Sequence, residues 1–106
     1  MLNLTKLSLA LPLLATLVLP AAADPVADFY KGKKITMVVG YGAGGGYDTT
    51  ARLLARHYGN AMPGKPGVVV QNMVGAGSLV AANYLYNNAP KDGSLIAVIS
   101  STIALL

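Results

Sequence analysis

The sequence predicts an α/β fold in the order β-α-β-α-β with a parallel sheet, and three observations carry that prediction. Short β-branched runs recur at residues 35–39, 68–71 and 95–99. Between them lie two stretches with helical spacing, from Asp48 to Tyr58 and from Ser78 to about Asn87. A glycine-rich loop leads from each of the first two strands into the following helix, at residues 40–46 and 75–77. Strands joined through helices pair in parallel by right-handed crossovers, so both loops, and the Ser100-Ser101-Thr102 segment after the third strand, belong at the C-terminal edge of the sheet. Open α/β sheets bind ligands along that edge.

The first 23 residues stand apart from this pattern. Lys6 gives a short charged start, Leu7 to Leu19 form a thirteen-residue apolar run, and Pro20-Ala-Ala-Ala23 supplies small residues at the −3 and −1 positions. This is the grammar of a cleavable export signal, with cleavage after Ala23 and a periplasmic destination. A bilayer span needs roughly 20 apolar residues, and this run is shorter and broken by Pro12. N-terminal sequencing of the exported protein should therefore begin at Asp24, and an intact Met1 on the soluble protein would refute the assignment.

Asp24 to Lys34 reads as a polar lead-in with a helical turn around Val26 to Tyr30. Ile35 to Val39 is apolar enough to be buried on both faces. Asp48 is placed to cap the next helix, in which Ala51, Leu54, Ala55 and Tyr58 fall on one face, expected toward the sheet. Asp48, Arg52 and Arg56 share the opposite side, and Gly59-Asn60 ends the helix. Met62 to Gly67 is a turn with two prolines, followed by the Val68 strand. Ser78 is expected to cap the second helix, which is apolar all round as a well-covered helix would be. Asn88 and Pro90 close it, and Asp92-Gly93 turns into the third strand. The mature part is one small domain at most, and its apolar ending at Ile103-Ala-Leu-Leu106 suggests a truncated gene product or fragment.

Composition narrows the chemistry. There is no cysteine and no glutamate, and His57 is the single histidine, so neither thiolate nor clustered metal sites are expected. Without Lys6, seven Lys and Arg face four Asp, a mild basic surplus with no patch dense enough for nucleic acid. Gly40-Tyr-Gly-Ala-Gly-Gly45 satisfies G-x-G-x-x-G, but Gln71 and Asn72 occupy the place of the acidic residue that a dinucleotide site requires. No Lys-Ser or Lys-Thr follows the glycines, so a P-loop is excluded. A triad of Ser100, His57 and Asp48 fails on length, since nine helical residues separate Asp48 from His57 by roughly 13 Å. No catalytic residue and no cofactor are expected. The rival readings are a fragment of a phosphate- or nucleotide-binding α/β enzyme and a small exported interaction protein without ligand.

The ordered motifs Lys34-Ile-Thr-Met-Val-Val-Gly-Tyr-Gly-Ala-Gly-Gly-Gly-Tyr-Asp48, Ala51-Arg52, Val68-Val-Val-Gln-Asn72, Gly75-Ala-Gly77 and Ala89-Pro-Lys-Asp-Gly93 resemble the Bug family. These are extracytoplasmic solute-binding receptors of tripartite tricarboxylate transporters. The resemblance runs from Lys31 to Ser100 and implies the N-terminal part of lobe I of a two-lobed periplasmic binding protein, over residues 24–106, with the second lobe absent. It further implies a small carboxylate ligand, membrane permease subunits as partners, and binding without chemistry. The ligand would be gripped by Tyr41, Gly42, Ala43, Gly44, Gly45, Gly46, Tyr47 and Asp48 in the first loop and by Asn72, Gly75, Ala76, Gly77 and Ser78 in the second. Ser100 and Ser101, at the end of the third strand, complete the expected set.

Overall fold

The computed structural model describes residues 20–105, so the apolar run of the expected export signal lies outside the described residues. Among the described residues no helix is long and apolar enough to cross a membrane. The chain opens on α1 (Pro25–Tyr30), where Pro25 takes the first helical position and Asp24 caps it by accepting from the Val26 and Ala27 N–H groups at 3.0 and 3.3 Å. The residue expected to begin the exported chain is thus a helix cap. Tyr30 donates its hydroxyl to the Gly93 carbonyl at 2.9 Å and ties this short helix to the turn before the last strand.

Three parallel strands follow, β1 (Lys34–Val39), β2 (Gly67–Asn72) and β3 (Leu95–Val98), in the spatial order β2-β1-β3. The α/β class, the element order and the parallel pairing are those expected. β1 is central, with Lys34 opposite Gly67 and Thr36 opposite Leu95. Its side chains are covered on both faces, since the alternating Met37 and Val38 are each at most 2% exposed. Ile35, Met37 and Val39 share a face with Val68 and Val70 of β2, and most of that set packs with Ile96 and Val98 against the first long helix.

That helix, α2 (Gly46–Ala61), starts two residues before Asp48, with Gly45 as its N-cap. Its buried face also differs from the expected one. Asp48, Ala51 and Gly59 are buried, whereas Leu54 and Tyr58 are 50% and 39% exposed. The reason is a close approach to β2: a Cβ on Gly59 would collide with the Pro66 carbonyl oxygen and would touch Val68. Only a face of small residues fits there, so the helix turns Ala51, Ala55 and Gly59 inward and leaves the larger Leu54 and Tyr58 outside.

The second long helix, α3 (Leu79–Asn87), ends where predicted, and Lys91 reaches back with its ammonium to the Leu85 and Tyr86 carbonyls. It is not well covered: Ala81 is buried, but Leu79, Val80 and Tyr86 are exposed among the described residues. Nor does Ser78 cap it. The segment Ala76–Ser78 forms a short turn in which Ala76, Gly77 and Ser78 all have positive φ, and the Ser78 side chain makes no capping bond.

Candidate ligand-binding edge

The parallel sheet brings both glycine loops and the 100–102 segment to one edge, as the sequence predicts. Within the first loop Gly42 to Gly46 are exposed, Tyr41 and Tyr47 are half-buried, and Asp48 is buried. Gly44 turns the chain at φ 89°, whereas Gly45 is extended at φ −77°. No side chain caps α2, and among the described residues the N–H groups of Gly46, Tyr47 and Asp48 have no protein acceptor. The first turn of a sixteen-residue helix is thereby left open at the sheet edge.

Asp48, expected to cap that turn on a polar helix face, instead anchors a latch with its buried carboxylate. Its carboxylate accepts from Arg52 Nε at 2.9 Å, from the Gly44 N–H at 2.9 Å and from Asn72 Nδ2 at 2.8 Å. The same Asn72 amide nitrogen donates to the Tyr41 carbonyl at 2.8 Å, and its oxygen accepts from Arg52 Nη2 at 3.1 Å. With two acceptors on one side and a guanidinium on the other, the Asn72 amide has one consistent orientation. Asp48 sits at the third helical position and reaches back to Gly44, in the manner of the acid in a capping box. The latch joins α2, the end of β2 and the glycine loop. It also engages Arg52, whose half-exposed guanidinium neutralises the Asp48 carboxylate. An acidic residue at 72, as a dinucleotide site needs, would oppose the Asp48 carboxylate.

Arg52, followed by the Gly44 N–H and Asn72, holds the Asp48 pKa at about 2, below its ordinary 3.8. A lowered folded-state pKa contributes stability above the unfolded value that is lost as pH falls through the folded one. The latch is therefore expected to be intact above pH 4 and to open as the pH approaches 2. Thermal unfolding followed from pH 5 to pH 2 should show a loss of stability that Asp48→Asn largely removes, and an identical pH profile in the variant would contradict the assignment.

Tyr41 and Tyr47 stack, with ring centroids 4.7 Å apart and planes inclined by 16°. The Tyr47 hydroxyl accepts from the Ser101 N–H at 3.2 Å, and the Ser101 side chain and N–H draw the phenol pKa below its usual value. A groove of about 440 Å³ opens on the α2 side, lined by Gly46, Tyr47, Thr50 and Val98.

In the second loop Gly75 is half-buried, Ala76 and Gly77 are exposed and Ser78 is fully buried, while Asn72 belongs to the latch. The third segment is closed off by side chains. The Ser100 N–H donates to Ser78 Oγ, the Ser101 N–H to Tyr47 and the Thr102 N–H to Ser100 Oγ. Three successive amides that the topology aims at the edge are thus engaged internally. The i, i+4 spacing of Asp48 and Arg52 noted in the sequence is realised as an ion pair, while Arg52 stands outside the expected ligand-binding set.

No family model matches the chain. BugT of Bordetella pertussis is 38% identical over 84 residues, which cover 79% of this chain and 25% of that protein. The "UPF0065 protein in gbd 5'region" of Cupriavidus necator is 36% identical over 92 residues, covering 84% of this chain and 27% of the relative. Over these residues the chain is similar to the Bug family. It spans about a quarter of the length of these curated relatives. The α/β element order and the three-stranded parallel sheet are those of part of a periplasmic-binding-protein lobe, so the Bug resemblance and the fold agree.

Proposed function

We propose that these residues form part of lobe I of a periplasmic solute-binding receptor that captures a small carboxylate for a tripartite tricarboxylate-type secondary transporter. One observation carries the reading: the uncapped first turn of α2 presents the Gly46, Tyr47 and Asp48 N–H groups at the edge where three loops meet. A helix N-terminus with free donors favours an anion through both hydrogen bonds and the helix dipole. Asp48 would repel a carboxylate if its charge were free, but Arg52 neutralises it in place. The ligand's carboxylate is then met by backbone donors, with its body beside Tyr47. Binding involves no chemistry. A second lobe closes over the ligand and presents it to the membrane permease subunits.

Because a two-lobed receptor encloses its ligand between lobes, a single edge supplies only part of the contacts. Calorimetry should register carboxylate binding in the full-length receptor, while residues 24–106 alone show no heat tighter than the millimolar range. Micromolar binding by monodisperse 24–106 would contradict the two-lobe reading.

A further inference from the structure

We propose that Ser78 is the positioning residue of the binding edge, holding three loops in register without touching the ligand; the proposal rests on the carboxylate-receptor reading above. Ser78 is fully buried, and its hydroxyl donates to the Gly40 carbonyl at 3.3 Å while accepting from the Ser100 N–H at 3.1 Å. One oxygen therefore connects the end of β1, the start of α3 and the segment after β3. Both hydrogen-bonding directions of the hydroxyl are used, so it has no donor left for a ligand.

Two further features fit this role. Ser78 has a left-handed backbone, φ 76°, next to Gly77 at 59° and Ala76 at 47°. Side chains rarely adopt that conformation, and glycine adopts it freely. A serine there sets a strained backbone against two buried hydrogen bonds, and strain of this kind persists only where the surroundings hold it. Gly40 supplies the matching space, because a Cβ at that position would collide with Ser78 Oγ. The second tether of the same segment, Ser101 N–H to Tyr47, comes from the first turn of α2. The Ser100 segment is thus fixed from both sides as a wall for the open N–H groups of α2.

The test compares Ser78→Ala, which keeps the Cβ and the strained backbone, with Ser78→Gly, which relieves the backbone; both remove the two bonds. In the full-length receptor, calorimetry against citrate, succinate, glutamate and benzoate identifies the tightest-binding probe for the wild type. Both variants should bind that probe about tenfold more weakly, and the Ser100 amide should exchange its hydrogen about tenfold faster, as expected when a buried hydrogen bond is lost. Ser78→Gly should keep its thermal midpoint close to wild type, separating positioning from general stability. Wild-type affinity in Ser78→Gly, or an unchanged Ser100 exchange rate, overturns the proposal. If the wild type binds none of the four probes, it is the carboxylate reading that fails, and the Ser100 exchange rate alone decides the part played by Ser78.

Discussion

Gly59→Ala should destabilise the fold, although helix propensity alone predicts the opposite. Alanine in place of glycine inside a helix is worth up to about 1 kcal/mol in favour of the folded state. At Gly59, however, the added Cβ would collide with the Pro66 carbonyl oxygen, a backbone atom that cannot rotate away. The helix would have to lift from β2, loosening Ala55 from Val68 and Val70. Overpacking of this kind costs about 1–3 kcal/mol, so a net loss is expected. Urea unfolding should show a lower midpoint with an unchanged slope. A raised midpoint would mean that the small-residue face of α2 does not set its approach to the sheet.

Gly45→Val should have the largest effect on binding with little effect on the fold. Gly45 is extended, and its Cβ would meet only the Gly42 carbonyl at an ordinary 3.6 Å. The left-handed residue of this loop is its neighbour Gly44, so a side chain at Gly45 meets no backbone penalty. The valine side chain therefore adds bulk at the mouth of the open N–H groups without backbone strain. In a chain completed with the proposed second lobe, carboxylate affinity should fall at least tenfold, about 1.4 kcal/mol, while the thermal midpoint without ligand moves little. His57→Ala should leave affinity unchanged, because His57 is exposed near the far end of α2. Loss of binding in the histidine variant and not in the glycine variant would place the site elsewhere.

The strands, the helices and the edge where the loops meet were legible because they depend on local periodicity and on the handedness of parallel crossovers. The expected boundaries of β1, β2 and β3 lie within a residue of the observed ones. What the sequence hid were inversions of polarity. Asp48 counted as polar and was assigned to the outer face of α2, but Asn72, twenty-four positions away, and Arg52 satisfy its carboxylate well enough to bury it. Leu54 and Tyr58 counted as apolar and were assigned inward, but Gly59 and Pro66 fix a helix approach that excludes them. Ser78 has the residue type of a cap, yet three successive left-handed residues aim its hydroxyl at Gly40 and Ser100 instead. Asn72, Gly40 and Ser100 lie more than twenty positions from the residues they engage, and the tight approach at Gly59 is set by how α2 packs on β2, which helical periodicity does not report.

The central claim is that a carboxylate seats on the first turn of α2. Amide chemical-shift titration of the proposed two-lobed receptor with the carboxylate that calorimetry finds tightest tests it most directly. The largest shifts are expected at the Gly46, Tyr47 and Asp48 N–H groups, with smaller ones at Ser100, Ser101 and Thr102, whose amides are already engaged. Saturating shifts centred on the His57 end of α2, with the Gly46 to Asp48 amides unmoved, would contradict it.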